Sequence, residues 1–219
     1  MRKGALSVLA LAALLHPAAA EDIEDASRAF GRYLATVEHG RSWSVETIEI
    51  EASLPKLNKK GRLRAIRRLK QGGEADYQVL EIAGDRTVRQ QVIERYLSAQ
   101  MTAAEIPSAS VAITPENYNF RYRGAVKAGD NVAFVFQIKP RKKRLGLISG
   151  ELWLDAETGV PVRQAGYLVK SPSLFVKRVG ITRETVLSDG VAQKLMTHLS
   201  VDTRLVGLAD LTVTECPLR

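Results

Sequence analysis

Hydrophobic positions recur along this chain with two different periods, and each change of period marks an element. Ile23, Ala26, Phe30, Tyr33, Leu34 and Val37 fall at helical spacing, with Glu21, Asp22, Glu24 and Asp25 at the N-terminal side, where acids complement the helix dipole. Gly40 is a natural stop, so a first helix is predicted over residues 23–38. Ile48, Ile50, Ala52 and Leu54 then alternate up to Pro55, which reads as a strand within 41–54. In 61–70 Leu63, Ala65 and Leu69 fall on alternate positions while Ile66 and the spacing of the cations also suit a helix; Gly61 before the run and Gly72-Gly73 after it favour a strand turning into a second one, 75–83. Helical spacing returns after Gly84-Asp85. Val88, Val92 and Tyr96 form one i, i+4, i+8 row and Ile93, Leu97 and Met101 another, together one broad apolar stripe on a helix over 85–104.

After 106–114, a weakly patterned loop or short edge element, every segment alternates. Tyr118, Phe120 and Tyr122 share one face, as do Val132, Phe134, Phe136 and Ile138, and strands follow at 145–155, 161–170, 175–187, 191–201 and 208–215. Gly129-Asp130-Asn131, Asp155 to Gly159 and Ser188-Asp189-Gly190 supply the turns. Short turns between consecutive strands make an antiparallel meander of roughly nine or ten strands. The expected class is mainly β with two helices (α+β): a strongly curved antiparallel sheet, or an unclosed β-barrel, capped by helices. A sheet of this size cannot leave a long apolar face in water, and the two amphipathic helices are the available covers. The space beneath them is either packed or hollow, and a hollow would suit an apolar ligand.

The N-terminus has a different pattern. Arg2 and Lys3 precede an apolar run from Ala5 to Leu15, then Pro17 and Ala18-Ala19-Ala20 before Glu21. That is the order of a secretory signal peptide, expected to end at Ala20 and too short to span a bilayer, which needs roughly 20 apolar residues. Residues 21–219 are then expected to form one exported domain, periplasmic where there is an outer membrane and secreted where there is none. Of the formal charge of +8, two units belong to Arg2 and Lys3, so the exported part stays basic. The compartment disfavours nucleic acid and leaves lipid headgroups, acidic glycans or another protein's acidic face as partners. Cys216 is the lone cysteine, so no internal disulfide can form, and a monomer is the expected state.

Two stretches concentrate cations. Lys56, Lys59, Lys60, Arg62, Arg64, Arg67, Arg68 and Lys70 come without an intervening acid, and Arg141-Lys142-Lys143-Arg144 forms a second run. Arg62, Arg64, Arg67, Arg68 and the second run are candidate contacts to headgroups or an acidic partner; solvation of an edge strand or a turn is the plainer explanation. Catalytic patterns are weak. His198 and Asp202 share one face of a strand without a third ligand, so no metal site is expected. No Gly-x-Ser-x-Gly elbow is present, Cys216 reads as part of a tail before Pro217, and Glu151 and Asp155 point the same way from one strand. A hydrolase is the weakest of three readings, and no enzyme or cofactor is expected.

The run Glu151-Leu152-Trp153-Leu154-Asp155-Ala156-Glu157-Thr158-Gly159-Val160-Pro161-Val162-Arg163 resembles the strand, Asp-x-x-Thr-Gly turn and return strand of the superfamily of periplasmic lipoprotein carriers and receptors, with its related lipid-sensing regulators of envelope stress. The element order agrees over most of the chain. The resemblance implies an unclosed β-barrel whose helices cap a cavity for acyl chains, and a lipid or acylated protein as partner, as in lipoprotein sorting. Val92, Tyr96, Tyr118, Phe120, Tyr122, Phe134, Phe136, Leu152 and Leu154 are the candidate lining, with a plain hydrophobic core as their simplest role. The alternative function is a regulator or interaction module that meets a membrane-associated protein through the basic surface.

Overall fold

The computed structural model describes residues 17–39, 45–69, 75–128, 131–204 and 207–218. Helix α1, Pro17–His39, precedes three strands, β1 Val45–Leu54, β2 Lys59–Leu69 and β3 Ala75–Gly84. A helical passage follows: α2 Arg86–Val88, a π-helical turn Arg89–Ile93, α3 Glu94–Ala104 and the short α4 Ser108–Val111. Seven strands complete the chain: β4 Tyr118–Ala128, β5 Asn131–Pro140, β6 Ile148–Asp155, β7 Pro161–Leu168, β8 Val176–Ser188, β9 Val191–Thr203 and β10 Leu208–Pro217. All ten lie in one antiparallel sheet, ordered β3-β2-β1-β10-β9-β8-β7-β6-β5-β4. Pairing of β1 with β10 joins the two ends of the chain, while β3 and β4 remain unpaired edges. The sheet is therefore curved and open, and the helical passage from β3 to β4 connects its two edges.

Alternation fixes which side of each strand faces the helices. Ile48, Ile50, Ala52 and Leu54 of β1, Leu63 and Ala65 of β2, and Leu211 and Val213 of β10 are buried inward, while Glu49, Glu51, Arg62 and Arg64 point outward. Curvature comes from β-bulges, such as those at Arg64/Ala65 and Tyr122/Gly124, and from a glycine pair opposed across β6 and β7. A Cβ placed on Gly150 would lie 2.0 Å from the Ala165 carbonyl oxygen, and one on Gly166 2.3 Å from that of Ser149. Only glycine lets the two backbones approach so closely.

The apolar interior is two clusters. One lies under α2 and the π turn, where Val88, Val92 and Ile93 meet inward residues of β1, β2, β8, β9 and β10. The other lies under α1, where Ala26, Ala29 and Tyr33 meet Tyr118, Phe134, Phe136, Ile138, Leu152 and Leu154. The two small alanines bring α1 close to the sheet. Asp85 caps the passage, its carboxylate accepting from Thr87 N at 2.7 Å and Val88 N at 3.4 Å. The π turn adds a residue to the helical repeat, so that Val92 and the adjacent Ile93 are both buried.

The structure differs from the sequence reading in detail. Helix α1 begins at Pro17, nearly two turns before residue 23, so the acids at 21–25 lie past its first turn. The 106–114 segment contains the one-turn α4, and Cys216 sits in β10 opposite Thr47 rather than in a tail. Residues 1–16, most of the proposed signal peptide, lie outside the described residues. No helix among the described residues is long and apolar enough to cross a membrane.

Candidate functional site

The nine apolar candidates do not converge on one point. Tyr118, Phe120, Tyr122, Phe134, Phe136, Leu152 and Leu154 belong to the cluster under α1, whereas Val92 and Tyr96 belong to the other. Phe30 of α1 inserts among them, its ring centroid 4.7 Å from that of Phe120 and 5.3 Å from that of Phe136. Tyr33 completes the seal by donating to Ile113 O at 3.0 Å, and the Tyr118 hydroxyl accepts from Ile148 N at 3.1 Å. Burial pushes the ionisation of Tyr33 and Tyr118 upward, so both hold their protons at neutral pH. The α1 half of the concave face is thus filled by the protein's own side chains.

The other half is less completely covered. Ile93, Leu97 and Met101 occupy one row of the helix and are buried, half-buried and 62% exposed in that order, and α3 buries no residue fully. Each successive turn covers less of the sheet. Val79 and Ile82, inward on β3 opposite Ala65 and Leu63, are 53% and 41% exposed. Apolar surface on α3 and on the inner side of the edge strand β3, both of which touch the π turn, therefore stays open to solvent.

Polar side chains occupy the floor between the clusters. Pairing places Thr197 of β9, Arg183 of β8 and Gln164 of β7 side by side and inward. Arg183 is exposed despite facing inward, so the space between the helices reaches solvent at this point. Its charge acts on both Tyr96 and Tyr118, one from each cluster. One Arg183 nitrogen approaches Gln164 Oε1 at 3.4 Å, while the buried Gln164 Nε2 has no hydrogen-bond partner. The floor can therefore present the exposed Arg183 cation to the polar end of an apolar molecule, with the buried Gln164 amide beside it.

The basic candidates separate as well. Arg67 points inward, is buried, and is ion-paired with Glu46 and Glu215, so the expectation that it contacts a partner is corrected: alternation turns it away from the surface. Arg62, Arg64 and Arg68 are outward and exposed, but acids flank them. Arg62 pairs with Glu81 at 2.5 Å, Glu81 lies 3.9 Å from Arg64, and Glu51 and Glu49 stand opposite on β1. Arg68 contacts Gln78 at 3.2 Å. A cleft of about 460 Å³ on this outer face is lined by groups of both signs, among them Glu51, Lys60, Arg62 and Asp210. In the second run Arg141 donates to Pro115 O at 2.7 Å and Arg144 to Asn117 Oδ1 at 2.7 Å, lashing the β5–β6 loop to the segment before β4. Lys142 and Lys143 stand exposed beside them.

The weak catalytic candidates have local uses. Asp155 organises its hairpin, accepting from Thr158 N at 2.8 Å and Thr158 Oγ1 at 2.7 Å, and Glu151 accepts from Trp153 Nε1 at 3.2 Å. His198 lies 3.4 Å from Thr212 Oγ1, and Asp202 contacts Lys177 at 3.5 Å. Among the described residues no group of His, Cys, Asp and Glu is placed to hold a metal ion. The open α3 edge and the Gln164 donor escaped the sequence reading. A row of apolar positions reads the same whether it is covered or bare.

No protein-family profile and no curated protein matches the chain. Among solved structures it is similar to a LolA superfamily protein from Nitrosomonas europaea, at 10% identity over 89% of this chain and 93% of that one, with a TM-score of 0.43. It is also similar to a putative outer membrane lipoprotein-sorting protein domain from Vibrio parahaemolyticus (12% identity, 92% of each chain, TM-score 0.36) and to MucB in complex with MucA(peri) (10% identity, 88% of this chain and 94% of that one, TM-score 0.27).

Proposed function

We propose that the chain is an exported, non-enzymatic binding protein for a hydrophobic ligand, the acyl chain of a lipid or of an acylated protein, held between the concave face of the sheet and α3. The observation that carries this reading is apolar surface left exposed on α3 and on the inner side of β3: Met101 on α3, beyond the half-buried Leu97, and Val79 and Ile82 on β3. Burying an acyl chain there is worth on the order of 0.8 kcal/mol per methylene. The exposed Arg183 on the adjoining floor suits the polar end of such a ligand, a carboxylate or ester oxygen accepting from its guanidinium. The Arg2 to Ala20 pattern supports export, and the hairpin resemblance supports a place in lipoprotein handling.

The test is to produce the chain by export, extract the purified protein with organic solvent and identify bound lipid by mass spectrometry. Acyl species in stoichiometric amount, lost in Leu97→Asp with Met101→Asp while the protein stays folded, are the expected result. Protein that carries no lipid and takes up neither fatty acid nor lipopeptide would sink the reading.

A further inference from the structure

Because successive strands alternate in direction, the β1–β2 turn and the β5–β6, β7–β8 and β9–β10 loops all lie along one rim of the sheet. Contacts make the rim continuous. Arg204 donates through its backbone N to Phe175 O at 2.9 Å and through Nε to Leu174 O at 3.0 Å. A Cβ on Gly207 would lie 3.0 Å from Lys56 Cδ, and Val169 N donates to Leu147 O at 3.0 Å.

The β7–β8 loop projects two large apolar side chains from this rim, Leu174 at 90% exposure and Phe175 at 55%. Their outward position is fixed by bonds within the loop. The Ser171 hydroxyl lies 2.8 Å from Ser173 O and 2.6 Å from Val176 O, Phe175 N donates to Ser173 Oγ at 3.2 Å, and Pro172 fixes its own backbone torsion. Exposed Leu57 and Leu145 occupy the tips of two neighbouring loops. The sequence of these four loops, residues 55–58, 141–147, 169–175 and 204–207, contains Lys56, Arg141 to Arg144, Lys170 and Arg204 and not one acid. All of these cations are exposed; Arg141, Arg144 and Arg204 are held by hydrogen bonds, and Lys142, Lys143 and Lys170 project from the loops.

We propose that this rim docks on an anionic lipid bilayer, with Leu174 and Phe175 entering the interface and the lysines of the surrounding loops resting among the headgroups. Convex apolar tips on separate loops offer no groove to another protein, but they penetrate a soft surface, while cations at the base of the tip meet the negative potential of the leaflet. The inference does not rest on the acyl-chain reading, since a protein that takes up no ligand can still dock.

Vesicle co-sedimentation of the exported chain tests it, using phosphatidylcholine vesicles with and without phosphatidylglycerol. Binding is expected with phosphatidylglycerol alone and should weaken as salt rises. The pair Leu174→Ser with Phe175→Ser should lower the partition coefficient roughly tenfold or more, and Lys142→Gln with Lys143→Gln and Lys170→Gln should lower it by a similar factor. As a second readout, Phe175→Trp should show a blue shift of its added emission with the anionic vesicles. Absence of binding overturns the proposal. So does binding that the serine pair leaves intact, which would reduce the rim to a general electrostatic surface, open equally to an acidic protein.

Discussion

Arg67 of β2 and Glu46 of β1 stand opposite one another on the inner face of the sheet, with Arg67 Nε 2.7 Å from Glu46 Oε1. The same guanidinium reaches Glu215 Oε1 of β10 at 2.6 Å, so one cation ties three adjacent strands together where the N- and C-terminal strands of the sheet meet. Burial alone would push the Arg67 pKa down, but the Glu215 and Glu46 carboxylates and a hydrogen bond involving Tyr77 more than offset it, and the guanidinium stays charged. All three charges are buried, so each depends on the others.

Removing one member should therefore cost far more than removing all three. Arg67→Met leaves two buried carboxylates without their cation and is expected to lower stability by about 3–5 kcal/mol. The triple change Glu46→Leu, Arg67→Met, Glu215→Leu should recover most of that loss. Urea unfolding of both variants decides: a single variant as stable as the parent would show that the triad holds nothing together.

The Gly150–Gly166 pair makes a second mechanical prediction. Gly150→Ala would force a methyl group against the Ala165 carbonyl, and the neighbour is backbone, which cannot rotate away. A loss of at least about 2 kcal/mol is expected, with Gly166→Ala similar. Gly31, whose Cβ would meet nothing within 4 Å, is the control, and Gly31→Ala in the middle of α1 should stabilise slightly. Thermal melts of the three alanine variants that fail to separate in this order would remove the glycine pair as the cause of the close approach.

Strand periodicity was legible because one face of nearly every strand is buried: the alternation of Ile48, Ile50, Ala52 and Leu54 in sequence is the alternation of their burial. The Asp155 turn was legible for the same kind of reason, since its hydrogen bonds are local. What could not be read is which cluster each apolar row enters. Phe134 of β5 and Tyr96 of α3 are both simply apolar positions in sequence but enter different clusters, and that depends on the order of strands around the sheet. Arg67 was misplaced among surface cations because its carboxylate partners lie 21 and 148 residues away. The open space beside α3 depends on how completely a helix covers its sheet, and no local pattern encodes that.

Alkaline conditions should expose the buried tyrosines. Burial raises the pKa of Tyr33 and Tyr96, with the neighbouring Tyr118 adding to the effect at Tyr33 and Glu215 at Tyr96. The unfolded chain releases these protons near pH 10, whereas the folded protein keeps them. A raised folded pKa gives stability that is whole below the unfolded value and drains away as pH climbs through the folded one. Urea midpoints should hold steady up to about pH 9 and fall beyond about pH 10. Tyr33→Phe should lose about 1 kcal/mol at neutral pH with its hydrogen bond to Ile113, and should then fall less steeply in alkali. Parallel slopes for the two proteins would assign the alkaline loss elsewhere.

The two halves of the concave face should separate stability from binding. Phe136 is buried against Phe30 and Tyr122, so Phe136→Ala is expected to destabilise by about 3–5 kcal/mol through lost contacts and a residual cavity. Met101 spends most of its surface in water, so Met101→Ala should move stability by less than about 0.5 kcal/mol. If α3 and β3 hold the acyl chain, that same variant weakens uptake of a fluorescent fatty acid, while the folded fraction of Phe136→Ala still binds it. The opposite pattern, with Met101→Ala silent and Phe136→Ala unable to bind while folded, would place the ligand under α1 and require that helix to move aside.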